Sequence, residues 1–572
     1  MSPRVFRGVG VSPGVAVGRA LPWEPGLPQE PVKTRSRMSG LADELARFAS
    51  ARARTRDELH ALRARLAASL GESYAAILEA QTLLVDDPVL VGEIERRLRE
   101  ESVSAAWAIH ATIGGYLARF ETIEDGYLRD RGSDLRDFER RLLRLLGPEA
   151  PESPPPEGPL VVVAHALGPS DTVALAKDGV VGLAADLGGP TSHTAILAHA
   201  FGLPAVVGLG DFASEVAPGA SVVVDGDRGE VLVDPEPAVL EAARARGAAW
   251  ASLEVQWERQ RDLPSVSRDG VEVVLRANVE FPDEAGAAVR YGARGIGLYR
   301  SEFLFVAAAP RMPDEEEHYR AYRELADKVA PHPAIIRTLD LGGEKYFHDV
   351  LGDAESNPVL GARGLRLCLM RPEIFVPQLR ALLRAAAQAD VRILLPLVTS
   401  ANEIAQVRKI LAREGEALRA AGVAARPGVP LGAMVETPAA AMTADLLLRE
   451  ADFLSIGTND LIQYTLAVDR SHPAVASLYE PFHPAILRMI RFVIRSGRAL
   501  GVPVSLCGEM ASSPELVPTL LGLGLRELSC PPRFVPAVRD AIRATDVAAM
   551  AREVEERCAV PDRAGAGKDG LR

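Results

Sequence analysis

LGAMVETPAAAMTADLLLREADFLSIGTNDLIQYTLAVDR, residues 431–470, decides the fold class. It opens on a short apolar run, LGAMVE, and crosses an alanine- and leucine-rich stretch. A second run, DFLSIG, then breaks into the polar Thr458-Asn459-Asp460. Such runs suit a parallel strand covered on both faces. The same alternation extends from Val271 to about Pro531, with VEVVLRANV, GIGLYR, AIIRTLDL, LRLCL, VRILLPL and VPVSLCG as the other strand candidates. About eight strand–helix units in about 260 residues have the dimensions of a (β/α)8 barrel. An open doubly wound sheet would carry a glycine-rich dinucleotide fingerprint after its first strand, and none follows VEVVLRANV.

Upstream the chain has a different character. Residues 2 to about 20 read as short strand pieces punctuated by Gly10, Pro13 and Gly14. From about Ser36 to Leu146, Arg, Glu, Ala and Leu dominate. Leu59, Leu62 and Leu66 share one helical face there, as do Leu142, Leu145 and Leu146. This is an inserted helical bundle. The PESPPPEGP run at 151–159 is a stiff linker. PLVVVAHAL, GVVGLAADL, LPAVVGLG and ASVVVDGDRGEVLVDP then supply strands of a compact α/β domain ending near Pro235, and 236–262 reads as a connecting helix. The expected organisation is a multidomain α/β chain. Residues 1–22 and 147–235 form the α/β domain, 23–146 the helical domain, 236–265 a linker helix and 266–572 the barrel.

Composition narrows the partners. A net charge of -12 over 572 residues argues against nucleic acid or an acidic membrane surface. The cysteines, Cys368, Cys507, Cys530 and Cys558, are scattered with no CxxC pair, which suits a reducing compartment and disfavours zinc. Gly and Pro interrupt the N-terminal MSPRVFRGVGVSPG before a signal peptide can form, and no run approaches the roughly 18 apolar residues of a membrane helix. A cytosolic protein is expected.

Gly188-Gly189-Pro190-Thr191-Ser192-His193-Thr194 joins a strand to a helix. Thr191 or Ser192 can cap, Pro190 suits a first-turn position, and His193 falls where free N–H groups and the helix dipole favour an anion. A largely neutral imidazole there can attack phosphorus, and the phosphoramidate rests beside those donors. A histidine near a helix start is ordinarily structural; the GG-x-TSHT context reverses that reading.

Barrel active sites gather at the C-terminal ends of the strands. There the sequence places Arg300, Arg337 with Asp340, Glu436, Thr458-Asn459-Asp460 with Arg470 beyond, and Cys507. Any one of these charges alone would pass as solvated surface. Charged groups at successive strand ends do not.

The GG-x-TSHT segment, GVSPGVAVG at the start, the WAI and YLRDR segments of the insert, and GLYRSEF, VETPAA and IGTNDLIQYTLAVDR in the barrel resemble Enzyme I of the bacterial phosphotransferase system over nearly the whole chain. The resemblance implies a phosphohistidine domain with His193 as carrier and a helical domain that binds the phosphocarrier HPr. It also implies a barrel that binds phosphoenolpyruvate and forms a homodimer. By resemblance Arg300, Arg337, Asn459, Asp460, Arg470 and Arg363 bind phosphoenolpyruvate, Glu436 and Asp460 hold Mg2+, and Cys507 protonates enolpyruvate to pyruvate. Guanidinium forks suit phosphate and carboxylate, and magnesium prefers oxygen ligands. Departures from the pattern are Pro190 and His199, where many members have Arg, and Gly168, commonly Thr. Phosphoenolpyruvate synthase and pyruvate phosphate dikinase share the histidine domain and barrel but need an ATP-binding domain, for which there is no room before the GG-x-TSHT segment. A non-catalytic sensor would show decay at the barrel mouth, and no motif residue there is missing.

Overall fold

Valine- and alanine-rich runs too short for stable helices become the sheet of the first of two units, Met1–Val255 and Gln256–Arg572. The computed structural model describes residues 4–12, 14–23, 40–70, 72–75, 78–121, 126–147, 158–175, 179–189, 192–308, 311–341, 357–469, 475 and 478–558. The sheet strands are β1 (Arg4–Arg7), β2 (Val9–Ser12), β3 (Val15–Pro22), β4 (Leu160–Ala164), β5 (Val180–Ala185), β6 (Ala205–Val207), β7 (Ser221–Asp225) and β8 (Glu230–Val233). They lie in the order β1-β8-β7-β3-β4-β5-β6-β2. The β3–β4–β5–β6 stretch is parallel, and β4 is buried along its whole length, as a strand covered on both faces must be.

Between β3 and β4 the chain leaves the sheet for a helical bundle that includes α1 (Leu41–Leu70), α2 (Pro88–Glu101), α3 (Ala105–Glu121) and α4 (Gly126–Leu146). Local chemistry sets the start of α2. Asp87 accepts from the N–H groups of Val89 and Leu90, both at 2.8 Å, and Pro88 needs no partner for a missing N–H. Phe48, Leu59, Ile94, Leu98, Ile109 and Leu142 form the bundle's own core. The helical stripe expected in α1 is real, with Leu59 and Leu66 buried and Leu62 half-buried. Returning to the sheet, α5 (Pro169–Leu175) follows β4, α6 (His193–Ala200) follows β5, and α7 (Pro237–Arg259) leads out of the sheet.

The second unit is a closed barrel of eight parallel strands: β9 (Val274–Val279), β10 (Ile296–Arg300), β11 (Ala334–Arg337), β12 (Val391–Leu395), β13 (Leu431–Val435), β14 (Phe453–Ile456), β15 (Val504–Leu506) and β16 (Glu527–Cys530). Leu298, Ile335, Leu394, Met434 and Phe453 pack together with Cys507 in a small apolar cluster of their own. The helices used below are α8 (Glu315–Val329), α9 (Gly364–Met370), α10 (Pro372–Ala386) and α11 (Thr458–Leu466).

One expected strand is wrong. LRLCL is not a strand but the body of α9, and the eighth strand is the unanticipated ELSC of β16. The alternation in Leu365-Arg366-Leu367-Cys368-Leu369 imitates a strand period. In fact Gly364, Leu365, Leu367 and Cys368 are buried while Arg366 and Leu369 are only partly so, which is the spacing of one helix face and not the alternation of a strand. Among the described residues no helix is long and apolar enough to cross a membrane.

Candidate functional site

The barrel mouth assembles side chains from strand ends far apart in sequence. Arg337, the last residue of β11, reaches Asp340 at 2.8 Å with one nitrogen and Glu302 at 3.1 Å with another. Burial opposes its charge, but Glu302, Asp340 and Glu436 outweigh burial and raise its pKa further. Arg363, just before α9, donates through one nitrogen to Asp340 at 3.1 Å and to Asp460 at 3.0 Å, and through the other to the Tyr464 hydroxyl at 3.3 Å. Arg300 closes β10 with an ion pair to Glu280 at 2.7 Å and keeps partial exposure. These guanidinium groups are held by carboxylates, which leaves their planes preset for an anion.

The carboxylates converge in turn. Asp340, Glu436 and Asp460 bring ligand oxygens within 4.8 Å of one another. Glu436 is almost fully buried, and its carboxyl accepts the Leu397 N–H. Burial first, then Asp340 and Asp460, push its pKa up to about 8, against the pull of Arg337 and Arg363. An all-oxygen cluster of acidic groups, one of them pushed toward its neutral form by burial and then by the other two, fits a hard divalent cation, whose charge would favour the ionised carboxylates.

Cys507 follows β15 and is buried, with the Ser455 hydroxyl donating to its sulfur at 3.1 Å. Burial raises its pKa, so the thiol is protonated at neutral pH and holds a proton to give. Asn459 is tied across to the loop after β15: its amide donates to Glu509 at 2.7 Å and accepts the Glu509 N–H at 2.9 Å. That approach is close, since a Cβ on Gly508 would lie 1.9 Å from the Thr458 hydroxyl oxygen. Arg470 lies outside the described residues.

In the first unit, α6 begins at His193, as the capping argument requires, and the cap is Ser192, whose hydroxyl accepts the Ala195 N–H at 3.3 Å. Thr194 fastens the first turn by donating to the Leu167 carbonyl at 2.9 Å. Pro190 and Thr191, and the side chain of His193, lie outside the described residues. The departure at Gly168 has a physical reason here. A Cβ at that position would sit 2.9 Å from the carboxyl carbon of Asp137 on α4, which itself accepts from Ser170 and Gln81.

Sequence reasoning located Asp340 at a strand end but gave it no ligand role, and it missed Glu302 and Glu280 as the partners of Arg337 and Arg300. GLYRSEF contains Glu302 two residues after Arg300, but only the closing of the barrel shows that it faces the next strand's arginine.

Known proteins resemble the chain along most of its length. The family described as PEP-utilising enzyme, PEP-binding domain, matches residues 254–547. PEP-utilising enzyme, N-terminal, matches 7–131, and PEP-utilising enzyme, mobile domain, matches 156–229. The phosphoenolpyruvate-protein phosphotransferase of Bacillus sp. (strain S) is 40% identical over 92% of this chain and 90% of its own length. Its namesake from Cupriavidus necator is 40% identical over 94% of each chain, and that of Bacillus subtilis 38% identical over 92% of this chain and 91% of its own.

Proposed function

From its membership of the phosphoenolpyruvate-protein phosphotransferase family, to which the chain belongs, we infer that it moves the phosphoryl group of phosphoenolpyruvate to its own His193. The phosphoryl group then passes to a histidine of the phosphocarrier HPr, and pyruvate is released. The observation that carries the reading is the barrel mouth, where Arg337 and Arg363 are preset by Asp340 beside the Asp340–Glu436–Asp460 cluster, in a family whose members are named for phosphoenolpyruvate.

Arg300, Arg337 and Arg363, with Arg470 and Asn459, bind the phosphate and carboxylate of the substrate. Glu436 and Asp460, joined by Asp340, would hold Mg2+, which would supply electrostatic stabilisation of developing negative charge. A ring nitrogen of His193 attacks phosphorus, the bond to the enol oxygen breaks, and that oxygen keeps the electron pair. The Cys507 thiol then gives its proton to the methylene carbon, yielding pyruvate, and the thiolate regains a proton from solvent. Burial of Cys507 supports this role by keeping the proton in place until the enolate forms. The reading includes a cytoplasmic location, HPr as a separate protein, and a homodimer through the barrel.

Labelled phosphoenolpyruvate with Mg2+ tests it. Acid-labile, base-stable label is expected on His193 and is lost in His193→Ala, which still binds phosphoenolpyruvate. Normal labelling of that variant refutes the carrier assignment.

A further inference from the structure

A buried amide stands behind the barrel mouth with its hydrogen-bonding capacity directed at both arginine-bearing strand ends. Gln378 lies on α10, outside the strands, and is fully buried. Its carbonyl oxygen accepts the Leu339 N–H at 3.1 Å. Its nitrogen donates to the Ser301 hydroxyl at 3.0 Å and to the Tyr322 hydroxyl at 3.0 Å. Both N–H donors are therefore used, and turning the amide over would set an N–H against the Leu339 N–H. Its orientation is fixed.

The two segments it holds are the ones that carry the site. Ser301 stands between Arg300 and Glu302, and Leu339 immediately precedes Asp340 and follows Arg337 by two residues. The Leu339 carbonyl is held as well, accepting from the Cys368 thiol of α9 at 3.7 Å. Glu302 in turn takes the Asp340 N–H at 2.9 Å and the Arg337 guanidinium at 3.1 Å. The ends of β10 and β11 are thus stapled twice, once on the substrate side by Glu302 and once from behind by Gln378.

The staple has a rigid base. Tyr322, besides accepting from Gln378, shares a hydrogen bond with Nδ1 of His318, 3.0 Å away on α8. His318 is fully buried and its pKa is depressed to about 4 by that burial, so the imidazole stays neutral beside Tyr322. Gln378, Tyr322 and His318 form one connected, buried chain of hydrogen bonds.

We propose that Gln378 is a positioning residue for the phosphoenolpyruvate site, setting the strand-end backbone from which Arg300, Glu302, Arg337 and Asp340 reach the substrate. The proposal rests on the phosphoenolpyruvate reading of that mouth. It goes beyond that reading by placing part of the site's geometry in a helix residue that touches no substrate. Misplacing reacting groups by about 1 Å costs about a hundredfold in rate, so a lost staple is felt in the chemistry.

Gln378→Leu keeps the volume and removes all three hydrogen bonds. Gln378→Glu keeps an acceptor for Leu339, and Ser301→Ala removes one arm only. The measurement is His193 phosphorylation by phosphoenolpyruvate and Mg2+ in the full chain, with rate, KM and final label per chain recorded separately. Gln378→Leu is expected to lower kcat by about tenfold to a hundredfold and to raise the KM for phosphoenolpyruvate by about tenfold. Gln378→Glu and Ser301→Ala should fall between it and the parent. A merely destabilised barrel would instead lower the final label and leave KM unchanged. Phosphorylated HPr, used as reverse donor, loads His193 without the barrel mouth and should serve Gln378→Leu at the parental rate. Parental kcat and KM in Gln378→Leu overturn the proposal. So do parental constants in both Gln378→Glu and Ser301→Ala if the Leu variant does not fold. Failure of the parent to take label from phosphoenolpyruvate overturns the functional reading instead.

Discussion

Cys507 and His318 show how burial sets a proton's fate. The thiol is buried and raised in pKa, so it is a reservoir that releases its proton only to a strong acceptor such as an enolate. Cys507→Ser retains the shape with a far weaker acid, so phosphoryl transfer to His193 should persist while pyruvate formation slows. Separate assays of phosphohistidine and of pyruvate check this, and unchanged pyruvate formation would assign the proton to another donor. His318 has the opposite sign. Its folded pKa of about 4 lies below the ordinary 6.5, so between those values the unfolded chain binds the proton that the folded chain refuses. Its contribution is full above about pH 6.5 and is lost as pH falls toward 4, a swing of roughly 3 kcal/mol. Hydrogen-exchange protection at β10 and β11, taken relative to the intrinsic exchange rate at each pH, should fall on acidification through this window, and His318→Phe should flatten that response.

The junction of α11 with the loop after β15 makes the site's tolerance narrow. The Asn459–Glu509 pair draws that loop against the start of α11, and Gly508 permits it because a side chain there would collide with Thr458. Gly508→Ala should displace Asn459 and Asp460, costing about 1–3 kcal/mol in stability from overpacking. Mg2+-dependent phosphoenolpyruvate binding, read by calorimetry, should weaken by more than the loss of stability explains. An unchanged affinity would mean that the α11 start moves freely of the ligands. At this level the sequence was partly deceptive. LRLCL carried a two-residue alternation and turned out helical, whereas ELSC was too short and too polar at Glu527 to stand out, although Leu528, Ser529 and Cys530 are buried. The eight-strand total came out right because one error offset the other.

On the proposed function the carrier and the chemistry stand in different units, since His193 lies in Met1–Val255 and the barrel in Gln256–Arg572. One imidazole must come within bonding distance of phosphorus at the barrel mouth and later meet the histidine of a docked protein, and both cannot surround it at once. The segment bearing His193 is therefore expected to move as a rigid body, with 236–262 as one candidate hinge; of the other candidate, 151–159, residues 151–157 lie outside the described residues. A cross-link fixing it to the barrel should permit self-phosphorylation and block transfer to HPr. Transfer at the normal rate from the cross-linked protein refutes the movement.

The barrel class, the helical insert and the charged residues that gather at the barrel mouth were legible along the chain. Each rests on local signals: apolar runs, helical spacing, a capped turn before His193, and charged residues at the ends of runs. The assembly of those residues was not. Asp340 becomes the third carboxylate of the cluster because closing the barrel brings its oxygen within 4.8 Å of those of Glu436 and Asp460, which lie far away in sequence. Glu302 meets Arg337, and Gln378 reaches Ser301 and Leu339, through side-chain directions that depend on long-range register rather than on neighbours in sequence. Local pattern encodes which face a residue turns inward. What it then meets there depends on which distant segment is packed opposite, and that pairing exists only once the parallel strands have closed.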